Sequence, residues 1–291
     1  MNTIIWVDGK FYEHDAPAIA ALDRGLLLGY GVFETLVVEN GAPFALTRHL
    51  RRLENSAQIL GLEVPKPEEL REAIGDVLNR WNSEASSNAR GRLRLTVTGG
   101  RGPLGLPSEP TQPSVIVTLG IAGPARQLGS REGISAAVSP WTVNPNAPLT
   151  GAKTLSYASN AVEQAHARSR GVDELISATV DGQVCEGAIS NVFIETEGEL
   201  LTPPLSAGCL PGITRELILE WAAHEGLPVR VATAGELPIE ILDLAPHIAV
   251  TGSVRGIMPI TNMSGRELEP GPITEAVSEL FTRSAARVVD P

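Results

Sequence analysis

The sequence predicts a mixed α/β protein with two domains, each combining strands and helices (α+β). The chain has 291 residues, which is more than one compact hydrophobic core usually serves. Strand-like alternation and helix-like spacing of apolar residues both recur along it. Because residues 123–133 break both periods, we expect an N-terminal domain over residues 1–122, a linker over residues 123–133, and a C-terminal domain over residues 134–291.

The N-terminal domain is predicted to open with a β-hairpin. Ile4–Val7 and Phe11–Tyr12 flank Asp8-Gly9, a strong signal for a two-residue turn. A second strand is expected over Val32–Val38, and Asn40-Gly41 should turn it back into Pro43–Leu46. Apolar stripes then predict helices at Leu50–Leu60 and Pro67–Trp81, and alternation predicts strands at Arg92–Thr98 and Ser114–Leu119.

The C-terminal domain is predicted to begin with the strand Ile134–Val138. A loop should follow through Pro148, and then a helix over Leu155–Ser169 whose inward face carries Ala158, Val162 and Ala165. Further strands are expected near Glu174–Val180, up to Glu186 and over Ser190–Glu195, and further helices over Thr214–Glu225 and Ile273–Val289.

Composition argues against several classes of protein. The net charge is −11 and the isoelectric point about 5.0, whereas nucleic acids and anionic membranes need clustered cations. Apolar runs are too short for a membrane span, and Met1–Ile4 lacks the features of a secretory signal. Cys185, Cys209 and five scattered histidines offer no metal-ligand spacing. We therefore expect a soluble cytoplasmic protein without a metal site.

One lysine stands out because lysine is rare in this chain. Lys10 and Lys66 lie in turn-like contexts, but Lys153 precedes a predicted helix, and all other basic residues apart from histidine are arginines. A lysine becomes a nucleophile when desolvation or a nearby cation lowers its pKa, and its neutral amine can then form an imine with an aldehyde cofactor. Arginine cannot do this, because it is effectively always protonated.

If the aldehyde were pyridoxal phosphate (PLP), three further groups would be required. The phosphate could bind at the helix start Leu210–Thr214, with Thr214 as the cap, and to Arg51 or Arg52. Glu186, after a tight turn, could keep the pyridine nitrogen protonated. Each residue also has an ordinary interpretation as a solvated charge or a plain helix cap, and spacing does not decide between the two.

Six blocks of sequence, in order and over nearly the full length, carry a resemblance to a known family. They are "LDRGLLLGYGVFETL", "RHLRRLENSAQILGL", "NPNAPLTGAKTLSYASNAVEQAHARSRGVDE", "VCEGAISNVF", "LPGITRELILEWA" and "VTGSVRGIMPI". The chain resembles the class IV aminotransferases, which are the fold-type IV PLP enzymes. These include D-amino acid, branched-chain and (R)-amine transaminases and aminodeoxychorismate lyases.

The resemblance implies a role for each matching residue. Lys153 would be the Schiff-base lysine and proton shuttle, Glu186 the partner of the pyridine nitrogen, and Arg52, rather than Arg51, the phosphate-binding arginine. It further implies cofactor contacts from Tyr157, Leu210, Ile213, Thr214, Ser253 and Val254. Family members have a small N-terminal α/β domain and a larger C-terminal domain built on a barrel-like sheet. The cofactor lies between them at a dimer interface, so a homodimer is implied.

The resemblance leaves the reaction open. We expect a transaminase that moves an amino group from a D-amino acid or (R)-amine to a 2-oxo acid such as pyruvate. The alternatives are an aminodeoxychorismate lyase that releases 4-aminobenzoate and pyruvate, and a PLP-binding protein without turnover. Phe33 replaces a tyrosine of D-amino acid transaminases, and Trp141–Asn144 lacks an arginine found in many members. Arg101 is the candidate for binding the substrate carboxylate, and a solvated loop arginine is the alternative.

Overall fold

The structure, a computed structural model, describes residues 3–84, 89–107, 109–123 and 133–291. The chain divides into two compact units. Unit 1 comprises Met1–Pro124, Ala152–Tyr157 and Val289–Pro291, and unit 2 comprises Ala125–Gly151 and Ala158–Val288. Apart from its two end residues, the predicted linker over 123–133 lies outside the described residues. The segment that carries Lys153 belongs to unit 1, although it follows the predicted boundary in sequence.

Unit 1 contains a six-stranded antiparallel sheet in the order β2-β1-β6-β5-β3-β4. The predicted first hairpin is confirmed, with Asp8 and Gly9 at φ values of 47° and 87° in its turn. The strands are β1 (Ile4–Val7), β2 (Lys10–Tyr12), β3 (Gly31–Glu39), β4 (Ala42–Pro43), β5 (Gly91–Thr98) and β6 (Val115–Ile121).

The helices in the described part of unit 1 are α1 (Arg24–Leu28), α2 (Leu46–Leu60) and α3 (Pro67–Glu84). The predicted strand Pro43–Leu46 is wrong, because β4 ends at Pro43 and Leu46 already begins α2. Ala45 has a left-handed backbone with φ 56°, which redirects the chain into the helix. The sequence analysis did not predict α1, which is only five residues long and is capped by the Asp23 carboxylate.

Alternation along the strands gives the sheet of unit 1 two different faces. On β3 and β5, Leu36, Leu93 and Leu95 are fully buried and belong to the core cluster that includes residues of α2 and α3. Phe33 and Arg94 point to the other face, since Phe33 pairs with Thr96 and Thr35 pairs with Arg94. The second face therefore carries an aromatic ring and a cation on neighbouring strands.

Unit 2 contains a nine-stranded mixed sheet in the order β12-β11-β10-β13-β14-β7-β8-β9, with β15 paired to β14. Its core combines aliphatic side chains of the central strands, including Ile176, Ile194, Ile248 and Ile260. The strands are β7 (Ile134–Val143), β8 (Glu174–Thr179), β9 (Val184–Gly187), β10 (Asn191–Thr196), β11 (Glu199–Thr202), β12 (Val229–Val231), β13 (His247–Gly252), β14 (Gly256–Met263) and β15 (Arg266–Glu267). The helices are α4 (Ala158–Ser169), α5 (Ile213–Glu225), α6 (Ile241–Leu244) and α7 (Pro272–Arg287), with a 3₁₀ turn at Leu205–Ala207.

The helix predicted over Leu155–Ser169 differs from α4 in its start and in its buried face. Leu155 is not helical, because its N–H donates to the Gly31 carbonyl at 2.8 Å. Ala158, Val162 and Ala165, predicted to face inward, are exposed, and Val162 is 54% exposed. The inward side instead carries Ala167, which is fully buried in a cluster with Ala137 and Leu175, and Gln164, which donates to the buried Glu174 at 2.8 Å. The apolar contact of Ala167 and the hydrogen bond of Gln164 thus define the face of α4 that is turned inward.

Among the described helices, none is both long and apolar enough to cross a bilayer.

Candidate active site

Lys153 packs against two aromatic rings of unit 1. Its Nζ atom lies 4.5 Å from the ring centroid of Phe33 and 5.3 Å from that of Tyr157. The two rings meet edge to face, with their centroids 5.0 Å apart. Aromatic rings attract a cation and shield it from water. Lys153 is therefore only partly exposed, whereas Lys10 and Lys66 are exposed.

Hydrogen bonds fix the backbone of Lys153 to both a strand and a helix. The Phe33 N–H donates to the Lys153 carbonyl at 3.1 Å, and Thr154 forms a β-bridge with Val32. The Lys153 N–H donates to the Ser56 hydroxyl at 3.0 Å. Ser56 lies one turn after Arg52 on α2. The predicted cofactor lysine is thus anchored to the helix that carries the predicted phosphate arginine.

Arg52 takes part in a buried charged cluster with Glu34 and His49. The Arg52 Nε and Nη2 atoms donate to the two oxygens of Glu34 at 2.8 Å and 2.6 Å. The His49 Nδ1 atom lies 2.6 Å from Glu34 Oε2. The residue exposures are 6% for Arg52, 0% for Glu34 and 1% for His49. Such a bidentate pair holds the guanidinium in one orientation.

Charge neutralisation sets the protonation states of this cluster. Burial alone would raise the pKa of Glu34, but the Arg52 guanidinium and His49 together lower this pKa to about 2. Burial lowers the pKa of His49 in spite of the neighbouring carboxylate. The neutral imidazole therefore donates its Nδ1 proton to Glu34, and the Arg52–Glu34 pair carries the charges.

Glu186, the predicted partner of the pyridine nitrogen, lies in unit 2 at the end of β9. One of its carboxylate oxygens, Oε2, accepts a hydrogen bond from the Leu210 N–H at 2.9 Å. The side chain of Asn191 donates to the Leu210 carbonyl at 2.8 Å. Burial, together with the Glu186 charge, raises the pKa of the thiols of Cys185 and Cys209, that of Cys209 to about 12. The two thiols beside Glu186 are therefore neutral.

The helix start predicted to bind phosphate is arranged differently from the prediction. The helix α5 begins at Ile213 rather than at Thr214, and its N-cap is Gly212, without a side-chain cap. Thr214 is therefore not the cap, which corrects the sequence analysis. A Cβ at Gly212 would collide with the side-chain oxygen of Asn191, so a larger residue there would displace the Asn191 amide from its bond to Leu210. Because no side chain caps the N-terminus of α5, its first N–H groups can bind an anion.

Ser253 and Val254 lie in the turn between β13 and β14, next to Arg255. The Arg255 guanidinium donates to the buried Glu174 carboxylate at 2.9 Å. The hydroxyl of Ser190, in the turn after Glu186, donates to the same carboxylate at 3.2 Å. Glu174 thus connects the turn that carries Ser253 and Val254 to the turn that follows Glu186. Burial raises the pKa of Glu174 above its ordinary value although Arg255 opposes the shift.

A stability measurement distinguishes the two fully buried carboxylates, Glu34 and Glu174. Glu34→Gln should lower the free energy of unfolding at pH 7 by about 3–5 kcal/mol, since Arg52 would stay buried without a counter-charge. The folded pKa of Glu34 is depressed, so its stabilisation is present above the unfolded value of 4.5 and is lost as the pH falls toward 2. Urea unfolding at pH 7 and pH 3 should therefore show a smaller cost at the lower pH.

Glu174→Gln is the matched control for this prediction. Its side chain is equally buried, but its raised pKa means that the folded state disfavours its charge, so neutralisation should cost little at pH 7. Equal losses for the two variants at pH 7 would contradict the proposed difference.

The two candidates for substrate contacts lie in different settings. Phe33 is 3% exposed and forms part of the Lys153 environment. Arg101 is exposed and its backbone bridges Asp23, so its role stays a prediction. The structure adds Arg94, which the sequence analysis missed. Its guanidinium carbon lies 3.7 Å from the centroid of the Phe33 ring. The signal was the pattern "RLRL", which puts Arg92 and Arg94 on one face of β5.

Comparison with known proteins identifies the family. Residues 31–263 match the family model described as amino-transferase class IV. The bifunctional aminodeoxychorismate lyase / D-amino acid transaminase of Mycobacterium tuberculosis is 31% identical, and the match covers 95% of this chain and 96% of that protein. The branched-chain-amino-acid aminotransferase of Salmonella typhimurium is 29% identical, with coverage of 95% and 91%. A solved structure of a hypothetical aminotransferase from M. tuberculosis in its PLP-bound form has a TM-score of 0.86 at 31% identity, covering 99% of this chain and 100% of that one.

The chain belongs to the class IV aminotransferase family. It has the mixed α/β architecture of the fold-type IV enzymes, whose cofactor is PLP. The predicted family and fold class are thereby confirmed.

The residues of each unit fit the requirements of that cofactor. Unit 1 provides a partly buried primary amine on Lys153 and an oriented guanidinium on Arg52. Unit 2 provides the carboxyl group of Glu186 and a helix N-terminus at Gly212 without a capping side chain. In the described part of the chain, no group of three or more His, Cys, Asp or Glu side chains is placed to hold a metal ion.

Proposed function

We propose that this protein is a PLP-dependent transaminase that moves an amino group from a D-amino acid or (R)-amine to a 2-oxo acid such as pyruvate. The observation that carries the proposal is the amine of Lys153, held against Phe33 and Tyr157 in a chain with three lysines. The relative from M. tuberculosis named in part as a D-amino acid transaminase supports the choice of donor.

The residues would divide the work as follows. When bound, PLP supplies an aldehyde that takes up amines and a ring that withdraws electrons. Lys153 holds the aldehyde and moves a proton at its Nζ atom, and Tyr157 donates a hydrogen bond to the cofactor's phenolic oxygen. Glu186 keeps the ring nitrogen protonated, and Leu210 packs on the ring. Arg52, the N–H groups at Ile213 and Thr214, and the turn at Ser253 and Val254 bind the phosphate.

We propose a homodimer as the active form. The cytoplasmic location expected from the sequence stays a prediction.

Single-turnover spectroscopy tests the proposed reaction. The protein loaded with PLP is mixed with D-alanine, and the cofactor's absorbance is followed. Transamination predicts conversion to the pyridoxamine form and release of pyruvate, and L-alanine should react more slowly because the proposed donor has the D configuration. Pyruvate added afterwards should restore the first spectrum. No conversion with any donor in a panel of D-amino acids and (R)-amines would overturn the proposal.

A lyase is the second candidate, because the same M. tuberculosis relative is also named an aminodeoxychorismate lyase. Lys153 could serve the lyase reaction as well, since that reaction also requires proton transfer at the substrate carbon. Release of 4-aminobenzoate from aminodeoxychorismate, together with no conversion by amines, would identify this activity.

A further inference from the structure

We propose that Asp290 is a positioning residue for the cofactor's phosphate: it caps the helix α2 from a distant part of the chain and thereby holds Arg52 in place. The segment that carries it, Val289–Pro291, is called the strap below. The strap belongs to unit 1, although the helix α7 before it belongs to unit 2. The inference rests on the proposed function, because it assumes that Arg52 binds the phosphate.

The helix α2 has no cap of its own. Its N-cap is Ala45, whose methyl side chain cannot accept a hydrogen bond, and its first turn, which the structure describes in full, contains no acidic residue. The first N–H groups of a helix have no partner within the helix, and a side chain of the N-cap residue usually binds one of them. The helix α2 therefore needs an acceptor from another part of the chain.

The strap supplies that acceptor. The N–H of Thr47, the second residue of the helix, donates to Asp290 Oδ1 at 2.8 Å, and the Thr47 hydroxyl donates to Asp290 Oδ2 at 2.5 Å. Just before the helix, the Ala45 N–H donates to the Val289 carbonyl at 2.8 Å. A side-chain oxygen on the second N–H is the usual geometry of a helix cap, and a carboxylate there also complements the helix dipole.

Two arginines contact the strap from α2 and α3. The Arg48 Nε atom donates to the Pro291 carbonyl at 2.9 Å. The Arg71 Nη2 atom donates to the Thr47 hydroxyl at 2.6 Å and lies 3.9 Å from Asp290 Oδ2. Because the Asp290 side chain is 36% exposed, this ion pair adds little, and the cap depends chiefly on the bonds to Thr47.

The capped turn leads directly to the buried charged cluster. The His49 N–H donates to the Ala45 carbonyl at 3.1 Å, so His49 closes the turn that Asp290 caps. The His49 ring contacts Glu34 at 2.6 Å, and both oxygens of Glu34 accept hydrogen bonds from Arg52. Fraying of the first turn would therefore loosen His49, and with it the pair that orients Arg52.

Two forms of the cofactor test the inference, because pyridoxal lacks the phosphate of PLP. The full chain is freed of cofactor and titrated with each form, and the absorbance of the bound aldehyde is followed. Asp290→Ala should raise the dissociation constant of PLP about 3- to 10-fold, the usual effect of losing one helix cap. The dissociation constant of pyridoxal should change less than about twofold, because pyridoxal has no phosphate for Arg52 to bind.

Asp290→Asn is the conservative variant. Asparagine caps helices about as well as aspartate, and its side-chain oxygen can still accept the Thr47 N–H bond. This variant should therefore bind PLP within about twofold of the wild type. A loss as large as that of Asp290→Ala would show that the charge of Asp290 matters rather than the cap, and would overturn the inference.

Glu236→Ala is the matched control, taken from unit 2. Glu236 Oε2 accepts hydrogen bonds from the Thr233 N–H at 2.7 Å and from the Thr233 hydroxyl at 2.9 Å, and the carboxylate pairs with Arg230, so its contacts resemble those of Asp290. This variant should bind both forms of the cofactor like the wild type. A wild-type dissociation constant for PLP in Asp290→Ala, or equal changes for PLP and pyridoxal, would refute the positioning role.

Hydrogen exchange reports the cap without any cofactor. In Asp290→Ala, the backbone amides over residues 45–49 should exchange on the order of 10-fold faster than in the wild type, whereas those of α3 should not change. Mass spectrometry of peptides from the two helices measures both rates. Unchanged exchange over residues 45–49 would show that Asp290 is not the cap of α2.

Arg52→Lys separates this inference from the proposed function. Lysine keeps a positive charge beside the buried Glu34 but lacks the fork with which a guanidinium can bind Glu34 and a phosphate together. If Arg52→Lys binds PLP like the wild type, the role of Arg52 in the proposed function fails, and the inference fails with it. If Arg52→Lys weakens the binding of PLP and Asp290→Ala does not, the inference alone fails. These titrations require no turnover, so they decide the role of Asp290 even in a protein that converts no donor.

Discussion

Lys153→Ala should abolish amino-group transfer, with a loss of at least about 10⁴-fold in the rate of conversion of D-alanine. Lys153 would serve both as the covalent anchor of the cofactor and as the group that moves the proton, so alanine removes two functions at once. Its backbone bonds to Phe33 and Ser56 do not involve the side chain, and the fold should therefore persist. Stopped-flow spectroscopy measures the rate, and circular dichroism checks the fold.

Borohydride reduction followed by peptide mass spectrometry gives a second readout. In the wild type, the reduced cofactor should be attached to Lys153. It should not be attached to Lys10 or Lys66, both of which are exposed. Lys66→Ala is the control and should keep the wild-type rate. Attachment to a different lysine, or substantial transfer by Lys153→Ala, would show that the lysine was wrongly chosen.

Local signals in the sequence predicted much of unit 1. Asp8-Gly9 and Asn40-Gly41 sit in two-residue turns with positive φ, because these residue types tolerate that conformation. The helices α2 and α3 follow the apolar stripes that predicted them, with Leu50, Leu53 and Ile74 buried. In each case the information lies within a few residues, and the tertiary structure agrees with it.

Pairings between distant segments could not be predicted in the same way. Residues 152–157 are flanked in sequence by residues of unit 2, but they belong to unit 1. They pair with β3, which lies some 120 positions earlier in the chain. That pairing keeps Leu155 out of the predicted helix, and α4 begins only at Ala158. The buried face of α4 carries Ala167 and Gln164, whose partners lie on the separate strands β7 and β8, so the predicted apolar spacing was misleading. Periodicity reports which residues can be buried, but not which partner they meet.

The candidate site likewise combines residues that the sequence predicted with contacts that depend on distant segments. The resemblance identified Lys153, Arg52 and Glu186, whereas their supporting contacts became visible only in the structure. Glu34 lies in an apolar strand, and its role follows from its bonds to Arg52 and His49. Arg94 is distinguished from Arg92 by its burial and by its contact with Phe33, which depend on the pairing of β3 and β5.

Glu186→Gln should slow amino-group transfer on the order of 10²- to 10³-fold, the usual effect of removing one preorganised electrostatic group. The amide oxygen of glutamine can still accept the Leu210 N–H bond, so the local backbone should be preserved. What disappears is the negative charge, and with it the preference for a protonated ring nitrogen. The rate of conversion of D-alanine is measured by stopped flow, and bound cofactor is quantified after denaturation.

Asp181→Asn is the control for this substitution. Asp181 lies at an exposed position in the turn that joins β8 to β9. Its substitution therefore removes one carboxylate from the same hairpin that carries Glu186. It should keep the wild-type rate and cofactor content. A structural role of Glu186 has to be separated from an electronic role, because Glu186 also raises the pKa of the thiols of Cys185 and Cys209. A purely structural role would lower cofactor content or stability in Glu186→Gln, whereas the electronic role lowers the rate with full occupancy. A wild-type rate at full occupancy would remove Glu186 from the mechanism.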